Sequence, residues 1–208
     1  MRRVLFAALI FAGFAMTANA TEEPDFETVV SDGSLEVRQY DPVIVAETEV
    51  SGDMRQASSS GFRVLADYIF GNNRARSEIA MTAPVTRTPS QKIDMTAPVI
   101  STPSDEGVWT VSFVMPSKWT METLPVPNNP AVSIREIPGE LLAAIRFSGS
   151  GRMETHRQKQ TELEDWIAAK GYKVSGPARY AGYDAPWKPA PFRRNEVLIP
   201  VEPVAPGN

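Results

Sequence analysis

The chain has 208 residues, of which 21 are basic and 25 acidic, giving a net charge of −4. Such a mildly acidic surface excludes the broad basic patch that nucleic-acid-binding proteins need. The absence of cysteine also excludes disulfides, thiolate metal sites and cysteine nucleophiles. The length suits one domain with a substantial core, and we expect a monomer.

The first twenty residues have the pattern of a cleavable export signal. Two arginines at positions 2 and 3 precede an apolar run over 4–16, and small residues follow at 18–20. The run is too short to span a membrane and no second run follows, so no stable membrane insertion is expected. The mature chain would begin near Thr21, in the bacterial periplasm or outside the cell.

The remainder, 21–208, is predicted to be a single domain with loose ends at 21–28 and 203–208. Within it, residues 36–52 align with 133–149 at an offset of 97, and both copies end in Ser-Gly. Period-two apolar patterns and central turn residues predict two strands joined by a tight turn in each copy. The chain therefore contains two similar halves, expected to pack about an approximate two-fold axis.

A segment of helical periodicity follows each copy. The apolar face of the first predicted helix contains Met54, Ser58, Phe62, Leu65 and Ile69. The apolar face of the second contains Met153, His156, Gln160, Leu163 and Ile167. Glycines at 71 and 171 would end these two helices.

The motif Met-Thr-Ala-Pro-Val occurs at 81–85 and again at 95–99, which predicts a hairpin between the halves. Because proline cannot donate to a ladder, each copy should lie at a sheet edge or a bulge. Further strands are predicted around 109–115 and over 196–201. The pattern as a whole predicts an α+β domain.

Several residues are candidates for chemistry, with more than one interpretation each. Gln39 and its repeat equivalent Glu136 stand where apolar residues are expected, either as exposed strand ends or at a cleft on the axis. Arg38 and Arg135 are either solvated or available to the carboxylates of a ligand. The one histidine, His156, lies on an apolar helix face, where structural or ligand-facing roles are commoner than catalysis. Methionines fill cores and occasionally ligate iron.

Residues 183–197, Tyr-Asp-Ala-Pro-Trp-Lys-Pro-Ala-Pro-Phe-Arg-Arg-Asn-Glu-Val, resemble the C-terminal signature of the SOUL haem-binding proteins. The Met-Thr-Ala-Pro-Val motif and the Glu-Val-Arg-Gln-Tyr run at 36–40 are similar to the same family. The resemblance implies a distorted β-barrel of two α+β halves, like the effector-binding domains of bacterial regulators. It also implies haem or tetrapyrrole binding between the halves. Some relatives have histidine where Gln39 stands, and glutamine is a poor haem ligand.

The sequence therefore predicts an exported, non-catalytic binder or carrier of haem or a related tetrapyrrole. The candidate ligand-contacting residues are Gln39, Phe62, Leu65, Ile69, Glu136, Tyr183 and Lys188. No dedicated metal site is predicted, and only His156 or a methionine is available to ligate haem iron. Two alternatives remain: a binding module for another amphipathic small molecule, and an enzyme acting on tetrapyrroles.

Overall fold

The computed structural model describes residues 21–76 and 90–204. The predicted signal at 1–20, the first Met-Thr-Ala-Pro-Val copy at 81–85 and the end of the tail lie outside these residues. The elements follow in this order: β1 (Phe26–Asp32), β2 (Leu35–Tyr40), β3 (Val43–Ser51), α1 (Met54–Ile69), β4 (Asn73–Arg74), β5 (Val99–Asp105), β6 (Val108–Val114), β7 (Val126–Pro127), β8 (Ser133–Ile137), β9 (Leu141–Ser148), α2 (Met153–Ala169), β10 (Tyr172–Val174), β11 (Arg179–Gly182), a 3₁₀ turn (Ala190–Phe192) and β12 (Arg194–Pro203).

Ten of these strands form one curled sheet, in which each pairing is antiparallel. The strand order is β1-β2-β9-β12-β11-β5-β6-β3-β8, with β10 added beside β12. The remaining strands, β4 and β7, form a separate pair. A curled half-barrel with two helices confirms the predicted α+β fold class. Within the described residues, neither helix has the length and apolar character that crossing a bilayer requires.

The two halves of the sequence pair with each other through their first two strands. In the β2–β9 pair Gln39 lies opposite Leu141, and in the β3–β8 pair Ile44 lies opposite Glu136. Glu136 is the equivalent of Gln39 at the 97-residue offset, and Leu141 is the equivalent of Ile44. The residues of one pair are therefore the equivalents of the residues of the other pair. The two antiparallel ladders therefore have equivalent registers.

Helix α1 begins at a capping box, in which the Asp53 carboxylate accepts from the Gln56 backbone N–H and the Gln56 side chain accepts in return. Its apolar face packs against β3 and β6. Leu65 and Ile69 are fully buried there, and each such side chain stabilises the fold by about 1.5–3 kcal/mol. Phe62 meets the ring of Phe113 edge-on, with centroids 5.4 Å apart.

Helix α2 packs against the strands of the other half. Leu163 and Ile167 are buried against Val37, Ile145 and Val197, which belong to three neighbouring strands. Both helices end where the sequence predicted. The glycines that follow them have positive φ, +126° at Gly71 and +77° at Gly171, a conformation that favours glycine.

The structure differs from the sequence prediction in two places. Residues 26–28, expected to be loose, form the start of β1, where the Phe26 ring packs 5.0 Å from that of Tyr40. The predicted strand over 95–99 is wrong, because β5 begins only at Val99. Pro98 cannot donate to a ladder, so the strand starts after it.

Candidate functional site

Among the described residues, one face of the sheet is covered by the two helices and the other face has no helix. Along β9, Ala143 and Ile145 point toward α2, whereas Leu142 and Ala144 point to the other side. There they form a small apolar cluster with residues of β11 and β12, to which no helix of the described chain contributes. We call this side the open face.

Residues 22–26, here called the strap, cross the open face. The Glu22 backbone carbonyl accepts from the Ala97 N–H at 2.9 Å, and its carboxylate accepts from the Ser117 N–H at 2.6 Å. Further along, the Asp25 carbonyl accepts from the Asp41 N–H at 3.2 Å. The strap is therefore anchored by main-chain contacts at both ends.

Two adjoining cavities flank the strap and share several lining residues, among them Glu23, Pro24 and Val43. We call the smaller one the inner cleft; it has a volume of about 50 Å³. Its walls are mainly apolar, with Val45, Leu142 and other side chains of both halves. Because ligand pockets usually measure about 300–1,000 Å³, the inner cleft is too small for a drug-sized ligand while the strap is in place.

The larger cavity, which we call the acidic pocket, has a volume of about 400 Å³. Its apolar lining includes Ile44, Met115, Trp119 and Met121. Six carboxylates also line it: Glu22, Glu23, Asp25, Asp41, Glu122 and Glu136. No lysine, arginine or histidine is among its described lining residues. The field of this pocket therefore favours a cation over an anion.

A buried charge network lies on the open face beside the inner cleft. Glu196 is completely buried and accepts from Arg38 Nη1 at 2.8 Å and from the Tyr183 hydroxyl at 2.9 Å. Arg194 donates to it through Nε and Nη2, at 3.0 and 2.9 Å. Burial favours the neutral acid, but the hydrogen bond and charge of Arg38, aided by Arg194, hold the pKa of Glu196 below its usual value.

Arg194 links this network to the strap. Its guanidinium lies 3.6 Å above the Tyr183 ring, a cation–π contact. Its remaining nitrogen, Nη1, donates to both Glu23 oxygens at 3.0 and 2.8 Å. Nε and Nη2 of Arg194 thus donate to buried Glu196, whereas Nη1 donates to the carboxylate of Glu23, which is 40% exposed.

The predicted site residues do not converge on one cavity. Glu136 lines the acidic pocket and Tyr183 the inner cleft. Gln39 is exposed on β2, where its amide donates to the Tyr40 carbonyl at 3.2 Å. Lys188 pairs with Asp184 at 2.6 Å. The helix residues Phe62, Leu65 and Ile69 pack between α1 and the sheet and line neither cavity.

The two arginines left open by the sequence have different surroundings. Arg38 is 4% exposed and inside the charge network, whereas Arg135 is 55% exposed and pairs with Glu47 at 2.7 Å. Sequence analysis missed Arg194 and Glu23 altogether. A signal for the network was present, since Glu196 directly precedes the apolar run 197–201 of the last strand, and a buried charge needs a partner.

His156 is enclosed by aromatic rings. It is 4% exposed, with ring centroids 5.2 Å from Phe147 and 5.0 Å from Tyr180. Its Nδ1 lies 3.1 Å from the Arg152 carbonyl, and the ring lines neither the acidic pocket nor the inner cleft. Burial lowers the pKa of His156, against the opposing effect of backbone carbonyls. The neutral imidazole is therefore a packing residue in this structure.

This burial predicts a pH dependence of stability that one substitution can isolate. The unfolded chain takes up a proton near the ordinary histidine pKa of about 6.5, whereas folded His156 resists protonation. Its contribution to stability is thus complete above that pH and is lost as the pH falls through it. The free energy of unfolding of wild-type protein, from urea titrations between about pH 7 and 5, should fall, and that of His156→Phe should fall less. Equal slopes would contradict the assignment.

The described residues offer few ligands for iron. They contain no group of three or more His, Asp or Glu side chains arranged to hold a metal ion. Met115 and Met121 line the acidic pocket, and Met153 lies in an open groove of about 500 Å³ beside α2. These methionines line cavities, whereas His156, the one histidine of the chain, lines none of the three.

Comparison with known proteins shows the family to which the chain belongs. A family model described as SOUL heme-binding protein matches residues 21–200. Heme-binding protein 2 from Homo sapiens is 31% identical over 170 residues, which cover 80% of this chain and 78% of the relative. Heme-binding protein 2 from Mus musculus is 30% identical over 172 residues, with the same coverage.

Solved structures with the same fold have much lower identity. The EcmrR C-terminal domain aligns with a TM-score of 0.59 and 13% identity, covering 82% of this chain and 98% of that one. A structure described as a hydrolase from Listeria innocua aligns with a TM-score of 0.53 and 14% identity, covering 84% and 94%. At these identities the likeness concerns the fold alone.

Proposed function

Because the chain belongs to the SOUL heme-binding protein family, we propose that it binds haem or a related tetrapyrrole as an exported, non-catalytic carrier. The observation that carries this proposal is the family match over 21–200, together with relatives named for haem binding. Export rests on the signal pattern at 1–20. N-terminal sequencing of protein from the periplasmic fraction should begin near Thr21.

The open face supplies surfaces that suit a flat apolar molecule. The inner cleft is lined by aliphatic side chains of six strands, and the acidic pocket adjoins it. We call the two cavities together the slot. Equivalent residues of the two halves meet there. Val45 and Leu142, and likewise Tyr40 and Ile137, are 97 residues apart and line the same cleft. This arrangement supports a ligand bound on an approximate two-fold axis between the halves.

The apolar walls of the slot fit the macrocycle of haem better than its iron. No imidazole lines the slot, so binding would depend on buried apolar area. Burying about 400 Å² stabilises the complex by about 10 kcal/mol, and association costs at least about 4 kcal/mol. The balance of at most about 6 kcal/mol corresponds to a dissociation constant of about 40 μM or weaker.

Titration of the purified protein with haemin tests the proposal. We expect a saturable change of the Soret band and quenching of Trp119, which lines the acidic pocket. Trp119→Phe should remove most of the quenching, whereas Trp187→Phe should not, because Trp187 is 85% exposed and lies outside the slot. A metal-free porphyrin should bind similarly. The absence of any saturable change in absorbance or fluorescence would contradict the proposal.

A second candidate is the binding of an amphipathic organic cation, favoured by the six carboxylates of the acidic pocket. A porphyrin with cationic substituents, titrated beside haemin, separates the two. Under this second function the cationic porphyrin binds more tightly than haemin, and Glu136→Gln weakens it by about 1 kcal/mol or more. Preference for haemin would count against it.

A further inference from the structure

We propose that the strap occupies the ligand's own place, with Glu23 holding the guanidinium that a carboxylate of a bound tetrapyrrole takes when the strap is displaced. This inference rests on the proposed function and adds the mode of recognition to it. The ligand class is a flat aromatic molecule bearing at least one carboxylate, as haem does.

The geometry of Arg194 supplies the first argument. Glu196 accepts hydrogen bonds from Nε and Nη2 of Arg194. It stays in place because it is completely buried and also accepts from Arg38 and Tyr183. Nη1 is the one nitrogen of the guanidinium that donates to a partly exposed carboxylate, that of Glu23, which is 40% exposed. Guanidinium groups recognise carboxylates through such paired contacts. A ligand carboxylate can therefore replace Glu23 without disturbing the buried network.

The apolar end of the strap supplies the second argument. Pro24 and Phe26 line the inner cleft. The Phe26 ring lies 5.0 Å from the Tyr40 ring, with the Arg38 guanidinium 4.5 Å above it. An aromatic ring and a carboxylate three residues apart thus occupy the slot, which is the combination a tetrapyrrole with a carboxylate side chain would present.

Charge and volume change together when the strap moves. Three of the six carboxylates of the acidic pocket, Glu22, Glu23 and Asp25, belong to the strap. Displacement removes them from the slot, joins the two cavities and exposes Nη1 of Arg194. Because the same movement removes half of the carboxylates, the electrostatic repulsion that disfavours an anionic ligand in the acidic pocket decreases.

The strap is held weakly enough to move. Four of its five side chains are exposed, its main-chain hydrogen bonds are confined to its two ends, and the Glu23–Arg194 pair is partly exposed. Segments with few buried contacts open at low free energy. An equilibrium between closed and open strap reduces the apparent affinity by the fraction that is open.

Haemin titration of Glu23→Gln tests the competition. We expect binding about two- to fivefold tighter than wild type, since the internal competitor loses its ion pair. Glu27→Gln is the matched control, because Glu27 loses the same charge on exposed β1 without contacting Arg194. Equal affinities of the two variants would overturn the inference.

A covalent lock tests displacement directly, in a chain without native cysteine. Glu22 and Thr96 form a β-bridge, a spacing compatible with a disulfide. Oxidised Glu22→Cys/Thr96→Cys should bind haemin at least about tenfold more weakly than Glu22→Ser/Thr96→Ser, which cannot close. Equal binding by both would show that the strap need not leave.

The contact between Arg194 and a ligand carboxylate is tested by the ratio of the affinities for haemin and for its dimethyl ester. Wild type should bind haemin more tightly than its dimethyl ester, and Arg194→Gln should lose that preference. The ratio is insensitive to a general loss of folded protein, because both probes sense the same population. An undiminished preference in Arg194→Gln would overturn the inference. Failure of wild type to bind either probe would instead overturn the proposed function.

Discussion

Replacement of Glu196 by leucine is expected to lower the free energy of unfolding by about 3–5 kcal/mol. The substitution leaves Arg38, itself 4% exposed, without its buried counter-charge. It also removes the acceptor of the Tyr183 hydroxyl and of two Arg194 nitrogens. A guanidinium left in the interior with only the 26% exposed Glu36 as its counter-charge costs more than the apolar side chain can recover. Urea unfolding measures the loss.

Glu202→Leu is the matched control for this experiment. Glu202 lies on the same strand and pairs with Lys173 at 3.0 Å, but both side chains are more than half exposed. Its replacement should change stability by less than about 1 kcal/mol. The double variant Arg38→Met/Glu196→Leu should recover part of the loss, because it removes the buried guanidinium and leaves only the partly exposed Glu36 without its partner. A similar effect of the Glu196 and Glu202 substitutions would mean that the buried network is not stabilising.

Gly61→Ala is expected to destabilise the protein by about 2 kcal/mol, although alanine favours helices. A Cβ at Gly61 would lie 2.6 Å from both Cβ and Cγ2 of Val111 on β6. Val111 is fully buried and β-branched, so it cannot rotate away. The helix would have to move off the sheet and lose contacts of Leu65.

The second substitution Val111→Ala provides the test of that cause. On the Gly61→Ala background it should cost less than it does alone, because it removes the Cγ2 contact at 2.6 Å although the Cβ contact remains, whereas alone it should cost about 2 kcal/mol for the cavity that it leaves. Thermal and urea unfolding of the four proteins give the coupling energy. Additive effects would show that the clash with Val111 does not explain the loss.

Much of the fold follows from local sequence pattern. The strands β2, β3, β8 and β9 have period-two patterns with turn residues between them, and both helices end at glycine, so each was predictable. The strand expected at 95–99 failed because apolar alternation around Pro98 was given more weight than its missing N–H. The start of β1 was missed because Phe26 stands alone in a polar segment, and its packing depends on Tyr40 and Arg38.

The site was less accessible to sequence analysis than the fold. Helical periodicity indicates that Leu65 and Ile69 are buried, but it does not say whether they face a ligand or a sheet. The contacts of the charge network and of the strap are long-range. Glu23 and Arg194 are 171 residues apart, and Arg38 and Glu196 are 158 apart. Only the tertiary arrangement brings such pairs together.

The cross-pairing of β2 with β9 and of β3 with β8 also determines how the protein can be divided. Each half of the chain donates a strand to the ladder of the other. A backbone cut between β7 and β8 would therefore leave two fragments, each missing a neighbour for an inner strand. Neither fragment should fold alone, yet mixing them should regenerate the sheet by complementation. Two intact chains could exchange the same segments, which makes a domain-swapped dimer the expected product of refolding at high concentration.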